Sequence, residues 1–138
     1  MRALTPRRLA ALTVTAAVLL TGCGGAGSGP ASAGDPPLSK RSATSGPVQV
    51  TVTPRSLDSR GATFDIELDN HQIDLTGDYA TTSTLTIGGT PWASPVWTGD
   101  AAGSHHRTGR LTFRSTGPVT EPVVLRIGGL PQPVTLRW

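Results

Sequence analysis

Three histidines, His71 and the adjacent pair His105 and His106, are the side chains best suited to chemistry in this chain. Imidazole binds transition metals and exchanges protons near neutral pH. Together with the carboxylate of Asp74 they make a candidate ligand set for zinc or type-two copper. Spacing sets a condition on that reading. Along a strand Asp74 lies opposite to His71, and the neighbours His105 and His106 point to opposite faces. The four converge only if Asn70-His71 forms a turn and residues 103–107 form a loop. In the competing reading His71 caps a turn, and His105 and His106 occupy a solvated loop. A blue-copper centre is excluded, because it needs a cysteine thiolate and the chain's one cysteine, Cys23, has another use argued below.

A second group of interest is Trp92 and Trp97, bracketed by Pro91 and Pro95, with Arg107 further on. Exposed aromatic and guanidinium groups of this kind stack on glycans or anchor a protein partner. A chain with so few aromatic residues also needs bulk in its core, which competes for at least one tryptophan. Asp65, Glu67 and Asp69 alternate with Phe64, Ile66 and Leu68. The apolar residues claim the core, so the carboxylates form a solvated outer face and not a catalytic pair. Ser104-His105 lacks a third partner and a strand-turn-helix elbow. No glycine-rich phosphate loop opens a helix. These observations argue for a non-enzymatic protein with no catalytic residue.

The elements that must carry these residues are strands. From Pro47 onward the apolar pattern has period two. Val48, Val50 and Val52 begin it, and Ala62, Phe64, Ile66 and Leu68 give its cleanest stretch. Leu85 and Ile87, Leu111 and Phe113, Val123 to Ile127, and Val134 to Trp138 repeat it, with further strands expected near Ile73-Leu75 and Trp92-Trp97. Gly- and Pro-rich turns separate these runs. The pattern predicts an all-β domain over residues 47–138, an antiparallel two-sheet sandwich of immunoglobulin-like type with about seven strands.

The N-terminal part reads as an address. Arg2, Arg7 and Arg8 precede a mostly apolar run from Leu9 to Leu20. As a helix that run is roughly 18 Å long, short of a bilayer core of about 30 Å, and is an export signal rather than a span. The run closes on Leu20-Thr21-Gly22-Cys23, which resembles the lipobox of bacterial lipoproteins. The resemblance implies cleavage after residue 22 and diacylation of Cys23. Two acyl chains hold a protein stably on a membrane, so the expected location is the outer, extracytoplasmic face of the cell membrane. Residues 23–46 are then the lipidated cysteine and a flexible Gly/Ala/Ser/Pro linker, with a span of roughly 25–30 Å.

Processing also changes the charge. The formal charge is +3. Loss of Arg2, Arg7 and Arg8 leaves nine basic and nine acidic residues, and the excess vanishes. Without a basic stripe, nucleic acid is excluded as a partner. The NHQIDL segment from Asn70, Trp97 and the HHRTGRLTF segment from His105 together resemble a pattern of small uncharacterised exported bacterial domains. That resemblance implies that the two histidine segments are neighbours in space. The sequence thus points to a lipid-anchored binding or interaction module, engaging an envelope protein or glycan. A copper- or zinc-binding protein using His71, His105 and His106 is the alternative, and a structural envelope component the second.

Overall fold

The computed structural model describes residues 38–138. The expected signal segment, Cys23 and residues 24–37 of the expected linker lie outside the described residues. Eight strands follow: β1 (Arg41–Ser45), β2 (Val48–Asp58), β3 (Gly61–Asp69), β4 (Thr84–Ile87), β5 (Thr90–Gly99), β6 (His106–Arg114), β7 (Val123–Ile127) and β8 (Val134–Arg137). One helical turn, α1 (Tyr79–Thr82), precedes β4. Alternation decides which side chains face inward. Val48, Val50 and Val52, then Ala62, Phe64, Ile66 and Leu68, and their counterparts on β4, β6, β7 and β8, form one buried core. Each large apolar side chain so buried contributes roughly 1.5–3 kcal/mol.

Every pairing is antiparallel, in the order β1-β2-β3-β6-β5-β4-β7-β8. The all-β antiparallel expectation is therefore met. The strands number eight and form one continuous sheet, where about seven in two sheets were expected. The reason lies in β5. Its first half pairs with β4 through Trp92, Pro91 and Thr90, and its second half pairs with β6 from Val96 to Gly99. A register shift between Ala93 and Val96, around Pro95, bends the strand and carries the ladder from one half to the other.

The sheet curls until its edges meet and is nearly barrel-shaped. Ser45 on β1 is fully buried; its Oγ donates to the Gln132 carbonyl at 2.6 Å and accepts from the Gln132 amide at 2.9 Å. The indole Nε1 of Trp138 donates to the Ser39 carbonyl at 2.6 Å, and its ring lies 5.8 Å from that of Phe64. The linker expected to run to residue 46 gives way earlier, because Arg41–Ser45 pair with Val52–Val48 as β1. An edge strand needs only one ladder, and small residues such as Ala43 and Ser45 suffice on its inner side. The strand expected near Ile73-Leu75 is instead a bent connection whose Leu75 makes a single bridge to Ser104.

Two long connections cross the barrel's ends, as the Greek-key order requires. Residues 70–83 run from the end of β3 to the start of β4 and cross the end where β6 begins; we call this end the rim. Residues 115–122 cross the opposite end, the base, near the β2–β3 and β4–β5 turns. At the base Gly88 and Gly89 take φ of +54° and +84°, the two-residue hairpin turn that glycine permits.

Candidate metal centre at the histidine rim

The rim is organised by Asn70, which is 3% exposed. Its Oδ1 accepts from the amides of Gln72 and Ile73 at 2.9 and 2.8 Å, bending the chain directly after β3. Its amide and its Nδ2 both donate to the His105 carbonyl, at 3.1 and 2.9 Å. A second tie follows: the Leu75 amide donates to the Ser104 carbonyl at 2.8 Å and the Gly103 amide to the Leu75 carbonyl at 3.2 Å. Asn70 thus fastens the His71 segment to the segment carrying His105 and His106.

Three exposed side chains meet on this frame. Asp69, His71 and His106 each offer a donor atom, and the three atoms lie within 4.8 Å of one another. The His71 and His106 rings meet edge to face with centroids 5.4 Å apart, and His106 Nδ1 lies 2.8 Å from Asp69 Oδ1. Asp69 is paired with His106 across the β3–β6 ladder, which fixes that contact by register. Two donors of one tetrahedral zinc ion stand about 3.3 Å apart. The observed set must close by about an ångström or more, a step open to exposed side chains changing rotamer. Two imidazoles and a carboxylate suit copper(II) or zinc, whereas magnesium and calcium select oxygen. Alternatively Asp69 holds Nδ1 and leaves Nε2 of His106 for the ion, the usual arrangement around a metal-bound histidine.

His105 and Asp74 pair separately, Nε2 to Oδ1 at 3.2 Å. Convergence of all four expected ligands therefore does not occur. The Asn70-His71 turn is present, but β6 begins at His106 itself, so its neighbour His105 points the other way. Asp69 takes the place expected for Asp74. No protein-family model, no curated protein and no solved structure matches the chain. Exposed pairs of this kind add about 0–1 kcal/mol to stability, so the cluster contributes little to holding the fold.

Beneath the rim sits a buried cation. Arg107, 4% exposed, points inward from β6. Its Nη1 donates to the carbonyls of Leu75 and Gly77 at 3.1 and 2.8 Å, and its Nε and Nη2 donate to the Asp100 carbonyl at 3.3 and 3.1 Å. The guanidinium carbon lies 4.5 Å from the Tyr79 ring centre and 5.4 Å from that of Trp97. Carbonyl dipoles and ring faces together replace the water that the charge gave up. Gly109 makes this possible, since a Cβ there would collide with the Trp97 ring.

The two nearest carboxylates serve the backbone. Asp100 accepts from the Thr108 amide and hydroxyl at 2.7 and 2.9 Å, and Asp78 caps α1 through the amides of Ala80 and Thr81. Hydrogen bonds from Thr108 hold the Asp100 carboxyl below its ordinary range, and those from Thr81 do the same for Asp78, with the Arg107 charge helping both. Burial pushes the Tyr79 phenol up.

The expected partner-contact residues fall in different places. Trp92 is 4% exposed and belongs to the core opposite Leu85, and Arg107 is interior. Trp97 is half-buried, its Nε1 donating to the same Asp100 carbonyl at 3.3 Å. Sequence alone places Asp69 on a solvated outer face and Asn70 in a turn with His71, and puts neither in the ligand set. Parity along β3 identifies Asp69 as outward, at the strand end next to the His71 turn, and this was the available signal. Cys23, the expected lipidation site, lies outside the described residues.

Proposed function

We propose that this chain is a lipid-anchored, extracytoplasmic, non-enzymatic binding module whose rim takes a copper(II) or zinc ion through His71, His106 and Asp69. The observation that carries the reading is the convergence of those three donors within 4.8 Å. The backbone ties of Asn70 support it, because a site held in advance loses less freedom on binding. Anchoring rests on the resemblance of Leu20-Thr21-Gly22-Cys23 to a lipobox. The Greek-key order and the bend in β5 support an immunoglobulin-type likeness as the finer description of the fold.

Calorimetric titration of the full chain with copper(II) and with zinc tests the metal reading. One ion per chain is expected, with loss of binding in His71→Ala and in His106→Ala and retention in His105→Ala. Binding no tighter than about millimolar, or unchanged in the first two variants, overturns it. The circular dichroism of each variant keeps the comparison valid by showing that the fold is intact.

A further inference from the structure

The charges of the barrel are segregated along its axis. The rim carries Asp69, Asp74, Asp78 and Asp100; Arg107 is buried beneath it, and toward that end Arg126 is exposed on β7 opposite Thr84. Around the base and the adjoining β1–β8 seam stand Lys40, Arg41, Arg114 and Arg137, all exposed. None of these four is in an ion pair among the described residues. Of the base carboxylates, Asp58 is taken by Arg60, which leaves Glu121.

The chain enters at this same basic end. Ser39 is bonded to Trp138, and Arg41 lies over the Trp138 ring at 5.8 Å. Cys23 stands fifteen residues before Leu38. Fifteen residues reach at most about 50 Å even when fully extended. If Cys23 carries the acyl anchor, the base is the end tied closest to the lipid, and the acidic rim is the far end.

We infer that the base is a membrane-docking surface: Lys40, Arg41, Arg114 and Arg137 contact anionic phospholipid headgroups and turn the histidine rim away from the bilayer. The occupant is the membrane that bears the chain's own anchor, an inference that rests on the lipidation of Cys23. Charge complementarity and the point of chain entry select it. Tethering makes such a contact effective although each cation contributes little, because the headgroups are already concentrated at the surface. The indole of Trp138, part exposed beside the cations, suits the same interface.

The full acylated chain in vesicles tests this, and Lys40, the only lysine, is the reporter. Labelling of its amine by a membrane-impermeant reagent is compared in phosphatidylcholine vesicles and in vesicles containing phosphatidylglycerol. Several-fold slower labelling is expected on the anionic vesicles, relieved by high salt. The double substitution Arg114→Gln with Arg137→Gln weakens docking on the order of thirty-fold and restores the rate. Equal rates on both vesicles, or protection that survives the double substitution, overturn the docking and leave the anchor standing. Flotation with pure phosphatidylcholine reports the anchor alone, and its failure overturns both. Metal titration of the same sample reads the rim independently.

Discussion

The two crossings, 70–83 at the rim and 115–122 at the base, perform the same topological task with different materials. The rim crossing is held from below by Arg107, whose guanidinium takes carbonyls from both Leu75 and Gly77 and is flanked by two rings. It is held from the side by Asn70 and stopped by the Asp78 cap of α1. The base crossing has lighter ties. Thr116 Oγ1 donates to the Pro91 carbonyl at 2.9 Å, Ser115 Oγ donates to the Gly117 carbonyl at 2.8 Å, and the Gly88 amide donates to the Pro122 carbonyl at 3.0 Å. Among the described residues no buried charge or aromatic clamp supports it. A connection that only joins strands needs little reinforcement, whereas one that holds donor atoms in fixed relation needs a great deal. The difference marks the rim as the end built to hold side chains in place.

The sharpest way to break this comparison is Arg107→Leu. It leaves the Gly77 carbonyl unpartnered and strips the charged donor from the carbonyls of Leu75 and Asp100, which keep the Gly103 amide and Trp97 Nε1, and a loss of about 3–5 kcal/mol is expected. For a domain of this size each kcal/mol shifts Tm by about 4–8 °C, so thermal unfolding by circular dichroism resolves it readily. A change below about 1 kcal/mol would remove the clamp from the account. Asn70→Ala comes next, with about 1–3 kcal/mol of destabilisation. It also weakens metal binding by about 10–100-fold, the cost usual for groups that orient metal ligands. Destabilisation without weaker binding would separate the frame from the site. Thr116→Val is the smallest step, expected within about 0.5 kcal/mol by chemical denaturation. An effect at Thr116 comparable with that at Asn70 would erase the contrast between the two ends.

Strand identity was legible in the sequence because burial on one face writes period two directly into it, as in Phe64, Ile66 and Leu68. The closure into one curled sheet was not, because alternation records which face is buried and says nothing of which strand is the neighbour. The partners of β5 depend on a bend near Pro95 that no periodicity encodes. β1 was hidden for a different reason: Arg41–Ser45 offers one small apolar residue, Ala43, and earns its place by backbone pairing alone. Arg107 was half legible. Parity with Leu111 and Phe113 places it inward, but its charge argues for the surface, and only the ring pair and the crossing carbonyls resolve that conflict. At the rim, adjacency of His105 and His106 correctly warned that the two diverge. That Asp69 joins the cluster follows from its ladder position opposite His106, a long-range fact.

The contact between Ser39 and Trp138 joins residues 99 positions apart. Closing the seam between β1 and β8 therefore waits for nearly the whole described chain to be available. Until then β1 can pair with β2, but the inner face of the sheet stays open along one edge. Non-local closure of this kind belongs among the slower folding events, and it makes completion of the fold depend on residues near both ends of the described stretch.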